Sequence, residues 1–418
     1  MRFPLLASIL TVFLGVGCGS SDDTTAAHDA GADSPTDARD ATTDAQADGA
    51  TDAPSDAGVD AAPDGAPDAA PDAAPDAAPD AAPDAVPDAV PDAPPAEPHV
   101  HFVGRHEPLP SGGARFGWSG TGFVVRFQGT AARVRMDDPS GFFTVVVDGQ
   151  VQPRLETTSG EALYDLATGL SAGEHVVEVY RRAEGFFGAT RVVGVEIDGT
   201  LLPPPVVGRR IEVLGDSITC GYGNEGADQY CNFSSDTENH YQTYAAIAAR
   251  ALDAELSAIA WSGKGVIFNY GDDTTEPLPS LFGRTIPSEA DDDWGFEWQP
   301  DAVVINLGTN DFSTEGDPSE SEFVGAYVGV LEKIRDVYPD ARILCTVAPL
   351  LSQAESVLVM GYIQKAVDAR AGAGDGNVAR IDLSVDNEGW GCDWHPSIAT
   401  HEAMAALLAS ELKTAMGW

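Results

Sequence analysis

One short stretch of the sequence contains a serine and another contains a histidine, the two residue types of a nucleophile and its base. The first, Gly215-Asp-Ser-Ile, places Ser217 at a turn directly after an apolar, strand-like run. The second, Gly391-Cys-Asp-Trp-His, ends with His395 near the carboxyl terminus. An imidazole can take the proton of a serine hydroxyl and so make its oxygen nucleophilic. We therefore predict that Ser217 is a nucleophile and that His395 is its base.

Two further stretches contain hydrogen-bond donors for the negatively charged oxygen of a tetrahedral intermediate. In Trp-Ser-Gly-Lys-Gly the backbone N–H of Gly263 or of Gly265 could be a donor, because glycine lets backbone approach a substrate. In Leu-Gly-Thr-Asn-Asp the side-chain amide of Asn310 is another donor. With the N–H of Ser217 itself, these groups form a predicted oxyanion hole.

The elements that must position these groups lie in residues 208–418, where strand-like and helical patterns alternate. The predicted strands cover 210–214, 256–260, 302–307, 342–347 and 378–383, and the predicted helices cover 239–254, 320–338, 355–370 and 398–416. Such alternation predicts an α/β domain, in which a parallel sheet has helices on both faces. Because sites in these sheets form outside the carboxyl ends of the strands, the four stretches should meet at one edge.

Residues 98–205 have a different pattern, without helical periodicity. Short runs of β-branched and aromatic residues, each ended by turn residues, cover 120–129, 142–149, 174–180 and 191–197. Strands at this spacing predict an all-β sandwich domain. Three consecutive prolines at 203–205 then predict a rigid link to the α/β domain.

The residues before position 98 differ from both of these regions. Residues 1–18 contain an apolar run that is too short to span a bilayer and is typical of a signal peptide. Cys18, at its end, resembles the lipidated cysteine of bacterial lipoproteins. Residues 19–97 are mainly Asp, Ala and Pro, and the repeated prolines prevent a regular helix. We predict a disordered tether that holds a secreted protein to the cell-envelope membrane, facing the periplasm or the exterior.

The charge of the chain excludes some classes of partner. The formal net charge is −43 at pH 7, and the aspartates of the tether account for only part of it. An acidic surface argues against nucleic acid as a partner and disfavours anionic polymers as substrates. The sequence has neither Cys-x-x-Cys spacing nor a glycine-rich phosphate loop, so we expect no metal and no cofactor.

Four cysteines follow Cys18, and an even number in an exported chain suggests disulfides. They allow three pairings. The local choice joins Cys220 to Cys231, which leaves Cys345 with Cys392.

The order Ser, Gly, Asn, His in these four blocks resembles the SGNH hydrolases, also called GDSL esterases. The resemblance implies that the four residues are Ser217, Gly265, Asn310 and His395, with Gly263 as the alternative for the glycine, and that Ser217, Gly265 and Asn310 form the oxyanion hole. A β-sandwich before such a domain, together with Gly-Asp-Ser-Ile-Thr-Cys-Gly-Tyr-Gly-Asn and Gly-Cys-Asp-Trp-His-Pro, resembles the second family of carbohydrate esterases over residues 98–418. The resemblance implies a jelly-roll-like sandwich and a three-layer, doubly wound parallel sheet. It also implies the removal of O-acetyl groups from xylan, glucomannan and related hexose polymers through an acetyl-enzyme, with a preference for the 6-position.

The sequence departs from the SGNH pattern at the residue that orients the histidine. The usual aspartate stands three residues before the histidine, where this chain has Cys392. Asp393 is therefore the candidate orienter, and a backbone carbonyl, as in a Ser–His dyad, is the alternative that the resemblance allows. Aromatic side chains near the strand ends could stack on sugar rings, and the predicted substrate-binding residues are Trp394, Trp298 and Trp390, each with coverage of the core as its alternative.

Two other functions are compatible with the same sequence. SGNH domains also act as lipases or thioesterases on longer acyl chains, and the fold alone does not separate these activities. A glycan-binding module with a relict site is the other alternative, against which the complete set of four blocks argues.

Overall fold

The computed structural model describes residues 99–314 and 316–418. The predicted signal peptide with Cys18, and the tether of residues 19–97, lie outside the described residues. In the described part, a β-sandwich precedes an α/β domain, which confirms these two parts of the predicted fold class. None of the described helices is long and apolar enough to cross a membrane.

The sandwich consists of two antiparallel sheets. Its strands are β1 (Val100–Val103), β2 (Glu107–Pro108), β3 (Ala114–Phe116), β4 (Gly122–Gly129), β5 (Ala132–Asp138), β6 (Phe142–Val147), β7 (Gln150–Val151), β8 (Leu155–Glu156), β9 (Gly160–Ala167), β10 (Gly173–Arg181), β11 (Thr190–Ile197) and β12 (Thr200–Leu202). One sheet has the order β1-β4-β10-β6-β7, with β12 beside β4 and β8 beside β6, and the other has the order β2-β3-β11-β5-β9. Alternate residues of β4 and β5 fill the core between the sheets: Phe123, Val125, Phe127, Val134 and Met136.

The four strands predicted in this region correspond to β4, β6, β10 and β11. Strands β5 and β9 are absent from the prediction. One face of each is turned away from the core: β5 alternates between apolar and charged residues, and in β9 Glu161, Leu163 and Asp165 are exposed. Neither strand therefore forms a continuous run of β-branched and aromatic residues.

The α/β domain contains a five-stranded parallel sheet of order β14-β13-β15-β16-β17. Its elements are β13 (Arg209–Gly215), α1 (Ser217–Cys220), α2 (Tyr244–Ala251), β14 (Ala254–Ala260), α3 (Leu278–Leu281), β15 (Ala302–Asn306), α4 (Glu320–Val337), β16 (Arg342–Thr346), α5 (Gln353–Gly372), β17 (Val378–Arg380) and α6 (Ile398–Met416). Gly215 is paired with Ala260 on one side and with Asn306 on the other. The first three motif stretches therefore start from neighbouring strand ends at one edge of the sheet.

Helices cover both faces of this sheet, as predicted. Val213 packs into a cluster with residues of α2 and α6, including Tyr244 and Leu408. The next residue, Leu214, belongs to the cluster on the other face, with residues of α4 and α5 such as Phe323. Consecutive strand residues point to opposite faces, so a strand that is covered by helices on both sides has apolar residues on both faces.

The helix predicted over residues 239–254 is divided in the structure. A single 3₁₀ turn covers His240–Gln242, and α2 begins at Tyr244. Between them Thr243 has an extended backbone, and its hydroxyl accepts the N–H of Ala246 at 3.4 Å. Threonine is a favoured N-cap residue, which explains the break.

A buried ion pair joins the sandwich to the α/β domain. Arg105, which follows β1, is 1% exposed and donates to both carboxylate oxygens of Glu212 on β13, at 3.1 and 3.2 Å. The same guanidinium also donates to the backbone carbonyls of Phe282 and Arg284. A second contact between the domains, of His101 on β1 with Glu255 on β14 (2.6 Å), lies at the amino end of the sheet.

Candidate active site

Ser217 occupies the first position of the short helix α1, directly after β13. Asp216 caps this helix, because its carboxylate accepts the N–H of Ile218 at 3.1 Å. Residue 215 is glycine because a Cβ there would collide with the side chain of Thr219. The chain thus passes from strand to helix within one residue, and the N–H of Ser217 lies where a helix offers it no acceptor.

His395 lies against the Ser217 hydroxyl. Its Nε2 atom is 2.8 Å from Oγ of Ser217, and its Nδ1 atom is 3.1 Å from the backbone carbonyl oxygen of Asp393. If Nδ1 donates to that carbonyl, Nε2 is the basic nitrogen that faces the hydroxyl. Burial lowers the pKa of His395 to about 4, so the ring is neutral near pH 7 and able to accept a proton.

The carboxylate of Asp393 does not contact the His395 ring, which corrects the prediction that this side chain orients the base. It accepts hydrogen bonds from the hydroxyl of Tyr222 at 3.1 Å and from the N–H of Phe233 at 3.0 Å. Asp393 and Trp394 have left-handed backbones, with φ of 50° and 58°. In this conformation the carbonyl of Asp393, rather than its carboxylate, faces the imidazole.

The disulfide of the described chain joins Cys231 to Cys392, so the local pairing of Cys220 with Cys231 is wrong. Cys220 and Cys345 are buried as free thiols. Cys220 points into the protein from α1, whereas the loop that carries Cys231 returns to the His395 loop. There the N–H of Asp393 donates to the carbonyl of Cys231 at 3.2 Å. Neighbours in sequence therefore point to different parts of the molecule.

Asn310 begins a 3₁₀ turn that starts four residues after the end of β15 at Asn306. One hydrogen of its side-chain amide is donated to the carbonyl of Lys264 at 2.8 Å. An amide nitrogen has two hydrogens, so the second remains for another acceptor. The contact holds the Asn310 side chain against the loop that contains both candidate glycines.

Asp311, which the sequence analysis did not single out, shapes the same loop. Its carboxylate accepts the N–H groups of Val266, Ile267 and Phe268 at 2.8, 2.7 and 3.0 Å. Burial raises the pKa of Asp311, while these three N–H groups act in the opposite direction. The position of Asp311, next to Asn310 in the third stretch, was the only signal in the sequence that could have identified it.

Of the two candidate glycines, Gly263 has the N–H that is free to donate. The N–H of Gly265 faces Oδ1 of Asn269 at 3.4 Å, and a Cβ on Gly265 would collide with the carbonyl of Phe268. Gly263 has a φ of +76°, and its N–H has no acceptor among the described residues. The geometry therefore favours Gly263, the alternative, over Gly265.

The three predicted aromatic residues lie in different places. Trp394 is 53% exposed beside His395, and its ring meets the edge of Tyr230 at 5.6 Å between centroids. Trp390 is half-buried and pairs with Pro396 across the same loop. The prediction that Trp298 binds substrate is wrong. Its indole N–H donates to Glu255 at 2.8 Å, at the amino end of β14 and thus at the opposite end of the sheet from Ser217.

Aromatic residues that sequence reasoning missed form a wall behind His395. The ring of Tyr222 is 4.2 Å from the imidazole and stacks on Phe233 at 3.7 Å. Phe233 in turn approaches Phe187 of the sandwich at 6.1 Å, and the neighbouring Phe186 is exposed. Nothing in the local sequence indicated that these separate loops converge.

Comparisons with known proteins agree with this arrangement of two domains. Residues 102–205 match the family model described as "Carbohydrate esterase 2 N-terminal". Residues 213–403 match the model described as "GDSL-like Lipase/Acylhydrolase family".

Several curated relatives cover both domains. The chain is 37% identical over 327 residues to the cellulase/esterase CelE of Acetivibrio thermocellus. The match covers 77% of this chain but only 40% of CelE. It is 27% identical over 332 residues to an acetylxylan esterase / glucomannan deacetylase of Cellvibrio japonicus, covering 77% of this chain and 90% of that protein.

Solved structures give the same result. A family two carbohydrate esterase from Clostridium thermocellum, in complex with cellohexaose, is 37% identical and matches with a TM-score of 0.73 over 76% of this chain and 99% of that one. A family two carbohydrate esterase from Cellvibrio japonicus is 26% identical, with a TM-score of 0.69 over 77% and 96% of the two chains. Through the fold of both its domains and its sequence identity to these enzymes, the chain belongs to the family 2 carbohydrate esterases.

Proposed function

We propose that this protein is a serine esterase that removes O-acetyl groups from xylan, glucomannan or their oligosaccharides. The observation that carries the proposal is the 2.8 Å contact between Oγ of Ser217 and Nε2 of His395. The relatives named acetylxylan esterase / glucomannan deacetylase support the substrate class. So does the acidic charge of the chain, which favours neutral polysaccharides over anionic ones.

The proposed reaction proceeds through an acetyl-enzyme. Nε2 of His395 takes the hydroxyl proton as Oγ of Ser217 attacks the acetyl carbonyl carbon, and the carbonyl oxygen becomes negative. The carbon–oxygen bond to the sugar then breaks, and the sugar oxygen takes the proton from His395. A water molecule repeats both steps on the acetyl-enzyme, which releases acetate and restores the serine.

Three donors would stabilise the oxyanion: the N–H of Ser217, the N–H of Gly263 and the free amide hydrogen of Asn310. Their value lies in being oriented before the charge develops. The bond from Asn310 to the carbonyl of Lys264 (2.8 Å) supplies part of this orientation.

Exposed aromatic residues next to the base and next to the Gly263 loop suit a sugar substrate. Trp394 stands beside the base, and Tyr270, which is 66% exposed, donates its N–H to the carbonyl of Gly263 at 2.8 Å. An aromatic ring offers an apolar face against which a pyranose can stack while its hydroxyls stay in water.

The proposal also places the enzyme at the cell envelope, with Cys18 lipidated and residues 19–97 as a tether to the membrane. Fractionation of cells that express the wild-type chain or Cys18→Ala tests this part. Recovery of the wild type with membranes, and of the variant in the soluble fraction, would support an anchor. Equal partition of the two would refute it.

Acetate release by the full-length protein is the direct test of the activity. The substrates are acetylated xylan, acetylated glucomannan and p-nitrophenyl esters from acetate to octanoate. The matched variants are Ser217→Ala, which should abolish release, and Ser410→Ala on the exposed side of α6, which should leave it unchanged.

Each outcome of this panel separates the competing functions. Activity confined to acetyl groups and lost in Ser217→Ala supports the proposal and begins to identify the glycan. A preference for longer acyl chains would replace it with a lipase- or thioesterase-like enzyme. Binding of glycans without release of acetate would indicate a binding module with a relict site.

A further inference from the structure

Glu184 is a buried carboxylate of the sandwich that reaches into the α/β domain. It lies between β10 and the 3₁₀ turn at Gly185–Phe187, and it is 2% exposed. Its backbone is held on both sides, because its carbonyl accepts from Nη2 of Arg181 at 3.2 Å and its N–H donates to Oε2 of Glu238 at 3.3 Å. The side chain thus projects from a fixed point of one domain into the other.

Both oxygens of this carboxylate bind one residue of the α/β domain. Oε2 accepts the backbone N–H of Ser262 at 2.7 Å, and Oε1 accepts its hydroxyl at 2.5 Å. Two hydrogen bonds from one residue to one carboxylate restrict both the backbone and the side chain of Ser262. Ser262 directly precedes Gly263, whose N–H is the free donor of this loop.

The same carboxylate also approaches the helix that begins at the nucleophile. Sγ of Cys220, in the last position of α1, is 3.8 Å from Oε2 of Glu184. Burial raises the pKa of Glu184, and the two hydrogen bonds from Ser262 act against this rise. The mechanism does not need the carboxyl group to exchange a proton, so its contacts rather than its titration explain its position.

We infer that Glu184 is a positioning residue, by which the sandwich domain holds the Ser262–Gly263 segment so that the N–H of Gly263 points at the oxyanion. This inference rests on the proposed esterase activity. It gives the sandwich a role in turnover: the oxyanion hole of the α/β domain is complete only with a side chain from the other domain. A displacement of about 1 Å at a reacting group can cost about 100-fold in rate, so a loose Ser262 should be visible in kcat.

The test compares variants of the full-length protein on p-nitrophenyl acetate, with kcat and KM measured separately. Glu184→Ala removes both contacts, and we expect kcat to fall about 10- to 100-fold while KM changes by less than about twofold, because the lost interaction matters in the transition state. Glu184→Gln keeps the shape and can accept the N–H of Ser262 and donate to its hydroxyl. It should therefore retain kcat within about fivefold of the wild type.

His101→Ala is the matched control for a loosened interface between the domains. It breaks the contact with Glu255 at the far end of the sheet, and kcat should stay at the wild-type value. Thermal unfolding midpoints of all variants, measured alongside, report whether each is folded.

A folded Glu184→Ala with wild-type kcat would overturn the inference, as would an equal loss in His101→Ala. If Glu184→Ala does not fold, Ser262→Ala removes only the hydroxyl contact. We then expect a fall in kcat of about 3- to 10-fold, and unchanged kcat would overturn the inference. A wild type without esterase activity would instead refute the proposed function, so the two failures can be distinguished.

Discussion

At the scale of single residues, the base of this site is oriented by backbone. Nδ1 of His395 lies 3.1 Å from the carbonyl of Asp393, while the Asp393 carboxylate binds Tyr222 and Phe233. A carbonyl can fix the tautomer of an imidazole, but it brings no net negative charge to stabilise the imidazolium. Burial is then the main influence on the histidine, and it favours the neutral ring.

The low pKa of His395 predicts the acidic limit of activity. Only the neutral ring can take the serine proton, and burial lowers its pKa from the usual 6.5 to about 4. We therefore expect kcat/KM for p-nitrophenyl acetate to stay level as pH falls from 8 to about 5 and to halve near 4. If kcat/KM fell to half near pH 6.5, the result would contradict a buried His395 with a lowered pKa.

Circular dichroism at each pH is the necessary control for that profile. Burial also lowers the pKa values of His240 and His401 to about 3. Below about pH 6.5 these three histidines bind more protons in the unfolded chain, where their pKa values are ordinary, than in the folded one. The stability contributed by their neutral forms therefore falls as pH drops through this window, and loss of fold must be separated from loss of the base.

Substitution of Asp393 should have little effect on catalysis. Asp393→Asn keeps the carbonyl that faces His395, and its amide oxygen can still accept from Tyr222 and Phe233. We expect kcat to stay within about fivefold of the wild type, whereas the same change in a Ser-His-Asp triad costs about 10⁴-fold. Steady-state kinetics on p-nitrophenyl acetate provide the measurement, and a loss of about 10³-fold or more would restore the carboxylate as the orienting group.

Loss of the Asn310 side chain should reduce turnover strongly. Asn310→Ala removes one donor to the oxyanion, so we expect kcat to fall about 100- to 1,000-fold with KM nearly unchanged. Asn377→Ala is the control, because Asn377 also donates its amide to backbone carbonyls, at 3.0 and 3.1 Å, but before β17 at the other end of the sheet. Wild-type kcat in Asn310→Ala would remove it from the oxyanion hole.

At the scale of elements, a covalent bond supports the loop of the base. The disulfide between Cys231 and Cys392 joins positions 161 residues apart, and Cys392 stands three residues before His395. The N–H of Cys392 also donates to the carbonyl of Gly223 at 2.9 Å, just after the nucleophile helix. The left-handed backbone of Asp393 and Trp394 is thereby held between a crosslink and the start of α6.

Removal of this disulfide should lower both stability and turnover. We expect Cys231→Ser to lose about 2–5 kcal/mol of unfolding free energy, and kcat should fall because the His395 loop is released. Thermal unfolding with and without dithiothreitol is the measurement. Reductant should lower the midpoint of the wild type but not that of Cys231→Ser, and Cys345→Ala, which lacks only a free thiol, should respond to reductant as the wild type does.

Equal midpoints for the oxidised wild type and Cys231→Ser would show that the crosslink adds no stability. A lower midpoint with unchanged kcat would mean instead that the hydrogen bonds of the loop position His395 without the disulfide.

At the scale of the whole molecule, charged side chains of the two domains are buried against each other at the interface. Arg105 of the sandwich and Glu212 of β13 are both essentially inaccessible to water. Removing one partner of such a pair leaves the other buried without compensation, which costs about 3–5 kcal/mol. Because of this pair and the Glu184–Ser262 contact, we expect the two domains to unfold together rather than independently.

Arg105→Ala should therefore destabilise the protein by about 3–5 kcal/mol, measured by urea unfolding. The control is Arg115→Ala in the same domain, since Arg115 pairs with Glu107 and Glu289 at a partly exposed site and should contribute at most about 1 kcal/mol. Similar losses in the two variants would show that the buried pair contributes no more than a surface one.

The sequence by itself determined the order of the elements and the residues that stand at the strand ends. Apolar runs such as 302–307 and helical patterns such as 320–338 are local, so each was visible without its neighbours. Ser217 and Asn310 follow strands of one parallel sheet, and any such sheet brings its carboxyl ends to one edge. Strands β5 and β9 were not recognisable in this way, because each has an exposed face and so lacks a continuous run of β-branched and aromatic residues.

Tertiary structure alone decided the contacts between loops. Cys231 pairs with Cys392 rather than Cys220, Gly263 rather than Gly265 keeps a free N–H, and Trp298 lies at the far end of the sheet. The hydrogen bonds between Glu184 and Ser262 join the two domains through residues that are 78 positions apart in the sequence. Such contacts depend on the three-dimensional paths of loops between strands, which no local pattern of residues encodes.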